Sequence, residues 1–132
     1  MQLLNIQFLL SGLVIGIILF QTLLAAPIVF TSLETGQARI FIRKIFPRIF
    51  MVLFFIGILM LIICCFSKPT MFQYYITFLT ICLPILCYLM VPATNRATDD
   101  NNQRKFKLLH SLSVMFTMIV LVVNLIGPFI IK

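Results

Sequence analysis

Four long apolar runs, Leu3 to Phe30, Pro47 to Phe66, Met71 to Val91 and Leu108 to Ile131, constrain this chain more than any other feature. Each is nearly free of charge and matches the roughly 20 helical residues needed to cross a hydrocarbon core about 30 Å thick. In lipid a backbone has no water to pair with, so such a run closes its own hydrogen bonds as a helix or joins a barrel. Barrel strands alternate polar and apolar residues, and these runs do not. The predicted fold class is therefore all-α: a four-transmembrane-helix antiparallel bundle forming one integral membrane domain over residues 1–132. Its predicted spans are about 3–30, 47–66, 71–91 and 108–131, with polar loops at about 31–46 and 92–107.

A composition of 62% hydrophobic and 10% charged residues is that of a lipid-embedded chain. The formal net charge of +7 would suggest nucleic acid in a soluble protein. Here the cations flank membrane spans, so anionic lipid head groups are the expected partner and nucleic acid is not. The first run lacks a basic leading region and is too long for a secretory signal, and it reads as a permanent anchor. Cys64 and Cys65 are adjacent and Cys82 and Cys87 are unpaired in spacing, with no Cys-x-x-Cys. They read as small packing residues rather than a redox pair.

Along the first helix, Gly12 and Gly16 with Ser11 form a small-residue face of the kind that lets helices pack closely. Asn5, Gln7 and Gln21 interrupt the apolar run and are expected to turn inward. Gln21 precedes Pro27, where a kink is predicted. Thr31-Ser32-Leu33-Glu34 fits a capping box opening a new helix. In that helix Ala38, Phe41, Ile42, Ile45 and Ile49 recur at helical spacing while Arg39, Arg43 and Lys44 fall mostly elsewhere. This pattern predicts an interfacial amphipathic helix between the first and second spans, with Arg39, Arg43 and Lys44 meeting lipid head groups or a partner. Pro47 reads as the first-turn residue of the second span. Pro84 predicts a kink in the third span, and the stretch from Pro92 to Lys105 reads as a solvated loop.

Orientation follows from the basic residues. Arg39, Arg43, Lys44 and Arg48 flank the first loop, and Arg96, Arg104, Lys105 and Lys107 the third; the other side has Lys68 and Lys132. The positive-inside rule makes loops 31–46 and 92–107 cytoplasmic and both termini external. A compact chain without tryptophan suits a bacterial inner membrane.

Several of these residues carry a family resemblance. Ala26-Pro27-x-x-Phe30 at the end of the first span and Phe46-Pro47-Arg48 opening the second resemble the transmembrane-protein-205-like family, also grouped as domain of unknown function 4149. Pro92-x-x-Asn95 and Phe106-x-x-x-His110-x-x-Ser113 are similar to the corresponding helix ends of that family. The resemblance implies a small four-helix integral membrane protein and implies no reaction. It directs attention to the basic ends of the helices, where Arg48, Asn95 and His110 are expected to form a polar rim with Asp99 or Asp100 as counter-charge and Gln21 and Ser113 nearby.

Chemistry is otherwise sparse. His110 is the lone histidine and the one candidate cofactor ligand, for haem; no cofactor or metal is predicted otherwise. No carboxylate falls inside a span, which argues against proton-coupled export. His110 beside Ser111 and Ser113 lacks a group to orient the imidazole, so no catalytic residues are assigned. The expected function is non-enzymatic: a subunit, assembly factor or lipid-associated scaffold in a larger complex or homo-oligomer, the alternative being a haem- or redox-associated protein using His110.

Overall fold

A computed structural model describes residues 2–130, the side chains of Gln2 and Leu4 excepted. Ile131 and Lys132, which the sequence reading placed at the end of the fourth span, lie outside the described residues. Helix α1 (Gln2–Leu19) runs through a π-helical segment (Phe20–Ala25) into α2 (Ala26–Ser32). Helices α3 (Thr35–Phe66), α4 (Met71–Asp99) and α5 (Gln103–Ile130) follow. No strand occurs among the described residues. The stretches Asn5–Ser32, Thr35–Phe66, Met71–Asp99 and Gln103–Ile130 are each long and apolar enough to cross a membrane.

The helices pack in the ring order α1, α3, α4, α5, which leaves α1 opposite α4 and α3 opposite α5. Each helix turns a narrow seam inward. In α1 the buried positions are Gln7, Ser11, Val14 and Ile18, and in α4 they include Gln73, Thr77, Thr80, Pro84 and Cys87. Leu53, Ile56, Met60 and Cys64 serve for α3, and Val120, Asn124 and Gly127 for α5. Spacings of three and four residues keep such seams facing a neighbouring helix. The apolar centre comprises Val14, Ile18, Leu53, Ile56, Met60, Ile76 and Val120. Outward positions such as Leu9, Phe20, Phe55, Phe78 and Leu89 are exposed and apolar, as a lipid-facing surface requires.

Several local expectations are corrected. The basic stretch is helical, but it is the first part of α3 rather than a separate interfacial helix, and Pro47 lies inside that helix. Loop 31–46 contracts to Leu33 and Glu34, both extended, between α2 and α3. Thr31 does not cap α3: its hydroxyl donates back to the Pro27 carbonyl at 2.9 Å, and Glu34 occupies the cap position without a side-chain bond. Loop 92–107 likewise contracts to Asp100–Asn102, because α4 continues through Pro92 to Asp99 and α5 starts at Gln103. The physical reason is shared. Polarity reports where the chain leaves lipid, whereas a helix of about 30 residues is about 45 Å long and outlasts the hydrocarbon core by several turns.

The capping box lies elsewhere, at Thr70 and Gln73. Gln73 N–H donates to Thr70 Oγ1 (3.4 Å), and the Thr70 N–H donates to Gln73 Oε1 (2.6 Å). It closes the connection 67–70, which has the length expected from the sequence. The kink element at Pro27 is the π-helical segment before it, where the Ala26 N–H reaches the Gln21 carbonyl. Widening the turn there makes room for the proline ring, which would otherwise collide with the carbonyl of Leu23.

Candidate functional site

Ionic chemistry gathers at the end of the bundle where α3 begins and α4 ends. Arg43 projects from α3 and forms a salt bridge with Asp99 at the C-terminus of α4. Its guanidinium also donates to the backbone carbonyl of Asn95 at 3.3 Å. The hydrogen bond from Arg43 holds the Asp99 carboxyl below the usual carboxylate range, residual desolvation opposes this, and the charges of Arg43 and Arg39 add to the lowering. Asp99 and Arg43 therefore clasp α3 to α4 at the charged end of the bundle. Beside the clasp is a cavity of about 190 Å³ lined by Arg39, Ala97, Thr98, Asn101, Gln103 and Phe106. The tight turn above it needs a left-handed residue, supplied by Asn101 at φ 52°.

The residues expected to form a rim are only partly brought together. Asn95 and Asp99 meet at Arg43, so the arginine of the cluster is Arg43 rather than Arg48, which is exposed. His110 is exposed, and its ring stacks on Phe106 with centroids 5.6 Å apart and planes 7° from parallel. Ser113 lies about a turn further along α5, its carbonyl accepting from Thr117 at 2.7 Å and facing Cys87 Sγ at 3.7 Å. Gln21 sits on the π-helical segment against α3, with its side-chain oxygen Oε1 buried and unpartnered among the described residues. Lys44 is exposed and Arg39 borders the cavity. Gly12 and Gly16 do not pack inside the bundle: a Cβ on either would meet nothing within 4 Å. The glycine close to a neighbouring backbone is Gly57, where a Cβ would lie 3.0 Å from the backbone carbon and oxygen of Thr80; at Gly127 a Cβ would meet the Ile76 side chain at 2.7 Å. The Thr80 carbonyl is the one Pro84, lacking an N–H, leaves without its helical partner.

A second polar system runs inside the membrane-spanning part, away from the basic end. Gln73 Nε2 donates to Gln7 Oε1 at 2.9 Å, and Gln7 Nε2 donates to Thr77 Oγ1 at 3.4 Å with Cys64 Sγ at 3.7 Å. One turn deeper, Asn124 Nδ2 donates to Thr80 Oγ1 at 2.9 Å, and Thr80 in turn donates to the Ile76 carbonyl. Gln7, Gln73, Thr77, Thr80 and Asn124 are all buried. The inward turn of Gln7 was legible from polarity alone. Thr77 and Thr80 are legible as groups that bond locally near Pro84, as Thr80 does to Ile76, whereas Gln73 is marked only by its spacing of four and seven residues from them on one face of α4.

Chemically the two systems differ. The interior contains only neutral groups, whose donors are spent on one another, so it joins helices and offers no proton-exchanging side chain. The basic end carries unpaired cations, because Arg43–Asp99 is the single salt bridge among the described residues. Among the described residues no group of three His, Cys, Asp or Glu side chains is placed to hold a metal ion.

Comparison of the chain with curated proteins and with solved structures finds no match in either. A family model does match, and it covers the membrane helix containing the π-helical segment, the basic clasp helix α3, and the chain reversal up to the first residue of α4. Residues 9–71 match the model described as Domain of unknown function (DUF4149), and over that segment the chain is similar to that family.

Proposed function

We propose that this polytopic membrane protein is non-enzymatic and acts as a subunit, assembly factor or lipid-associated scaffold. One observation carries the reading: buried side chains bond to each other across α1, α3, α4 and α5, while the unpaired charges, Lys68 excepted among the described residues, sit together at one end. Such a division suits a protein that presents surfaces rather than one that turns over a substrate. The open Gly12/Gly16 face of α1 is available to a helix from a second molecule, and Arg39 and Lys44 are available to anionic head groups. The concentration of cations at that end supports a cytoplasmic placement in a bacterial inner membrane, with the N-terminus external. The finer likeness to transmembrane-protein-205-like proteins rests on Ala26-Pro27-x-x-Phe30 and Phe46-Pro47-Arg48 together with Pro92-x-x-Asn95 and Phe106-x-x-x-His110-x-x-Ser113, the last two of which lie beyond the matched segment.

Native co-purification in mild detergent, with identification of bound proteins and lipids, tests this reading. A stable partner or retained anionic lipid is expected, and substituting Gly12 and Gly16 by leucine is expected to release a protein partner. Recovery of a bare monomer carrying a visible chromophore would overturn it in favour of the haem alternative at His110.

A further inference from the structure

The cations of the basic end are not equivalent, and the difference defines a binding site. Arg43 is spent on Asp99 and the Asn95 carbonyl. Arg39, one turn earlier on the same helix, makes no hydrogen bond or ion pair among the described residues and borders the cavity of about 190 Å³. Across that cavity lie Asn101 and Gln103, whose side-chain amides are likewise without partners among the described residues. Thr98 adds a hydroxyl whose proton is given to the Thr94 carbonyl at 3.1 Å. Phe106 closes one wall. The first turn of α5 contributes little, since Asn102 Oδ1 already accepts from the Lys105 N–H at 3.1 Å.

We propose that this cavity binds one phosphate-class anion, with the Arg39 guanidinium as its charged anchor and the Asn101 and Gln103 amides as neutral donors. A planar guanidinium presents paired N–H groups that match two phosphate oxygens, and neutral amides complete the shell without adding charge. The opposing carboxylates are accounted for: Asp99 is neutralised by Arg43, and exposed Glu34 and Asp100 are outnumbered at this end by Arg39, Lys44, Arg48, Arg96, Arg104, Lys105 and Lys107. The volume holds a phosphate group, and its walls come from the polar parts of α3, α4 and α5 at a depth just outside their apolar runs. That depth favours the phosphate of a lipid head group over a free anion. The proposal rests on the lipid-associated reading above and narrows it to one site.

The test uses the full chain in neutral detergent, titrated with phosphatidylglycerol, phosphatidylcholine or inorganic phosphate and read by native mass spectrometry and thermal shift. A single tight phosphatidylglycerol is expected, weakened by about tenfold or more in Arg39→Gln and in Gln103→Glu, and unchanged within about twofold in Arg48→Gln. Arg39→Lys is expected to fall between, keeping charge but losing the fork. Equal losses in the Arg39 and Arg48 variants would overturn the site and leave a diffuse lipid-binding surface. Phosphate binding that depends on Arg39, without competition from phosphatidylglycerol, would support the site and sink the lipid reading. No preference for phosphatidylglycerol over phosphatidylcholine, with no phosphate binding, would overturn both.

Discussion

Gln73 reaches across the diagonal of the bundle and donates to Gln7 at 2.9 Å, joining α4 to the helix opposite it in the ring. The same Gln73 carboxamide accepts from the Thr70 N–H, so one buried side chain fixes both the start of α4 and its distance from α1. Replacing either glutamine by leucine is expected to cost about 1–3 kcal/mol, because the survivor keeps an unsatisfied amide in lipid. The double replacement is expected to cost less than the sum, with a coupling of about 0.5–1.7 kcal/mol. A double-mutant cycle by denaturant titration in micelles measures this, and strict additivity would show that the bond contributes nothing.

Gly57 and Thr80 set the approach of α3 to α4. A methyl at residue 57 has no room against the Thr80 backbone, so Gly57→Ala is expected to destabilise by about 1–3 kcal/mol. Gly12→Ala and Gly16→Ala, which meet nothing, are expected to leave the monomer unchanged or more stable by up to about 1 kcal/mol, since alanine is the better helix former. Melting of the three detergent-solubilised variants separates them; a harmless Gly57→Ala would refute the packing described.

The Arg43–Asp99 clasp has a pH dependence of known sign. Its folded carboxyl is held below the unfolded value of about 3.9, so its contribution is complete above about pH 4 and is lost as pH falls through the lower folded value. Asp99→Asn is expected to loosen the exposed ends of α3 and α4 at neutral pH and to make no difference once the wild-type carboxyl is protonated. Hydrogen exchange of the segments around residues 39–43 and 95–99 reads this out, and a difference persisting unchanged in strong acid would contradict it.

Thr70→Ala removes the hydroxyl that receives the Gln73 N–H and is expected to cost about 0.5–2 kcal/mol, with fraying confined to the first turn of α4. Thr31→Ala, whose hydroxyl only bonds back within its own helix, is expected to change stability by less than about 0.5 kcal/mol. The comparison distinguishes the real cap from the sequence-level mimic at Thr31 to Glu34.

These two threonines show why the sequence was readable at one level and not the next. Both head a stretch that fits the capping pattern; only three-dimensional chain direction decides which begins a helix. Gly12 and Gly16 make the same point. Small residues four apart announce a possible close contact, but which side of α1 faces the bundle depends on where Gln7, Ser11, Val14 and Ile18 find partners. Arg48 was favoured for the rim by its place beside Pro47, yet Arg43 is the residue turned toward α4, because α3 continues unbroken through the proline and keeps its helical phase.

The sequence by itself determined that the chain is four apolar helices with its cations collected at one end, because lipid leaves a long apolar backbone no other way to satisfy its hydrogen bonds and because charge is excluded from hydrocarbon. Only the tertiary structure decided that the helices outrun their apolar cores. It also paired Gln7 with Gln73 and Gly57 with Thr80, and tied up Arg43 while leaving Arg39 free beside a cavity. Those outcomes depend on helix phase and ring order, which are set by contacts between residues far apart in the chain and leave no mark on local composition.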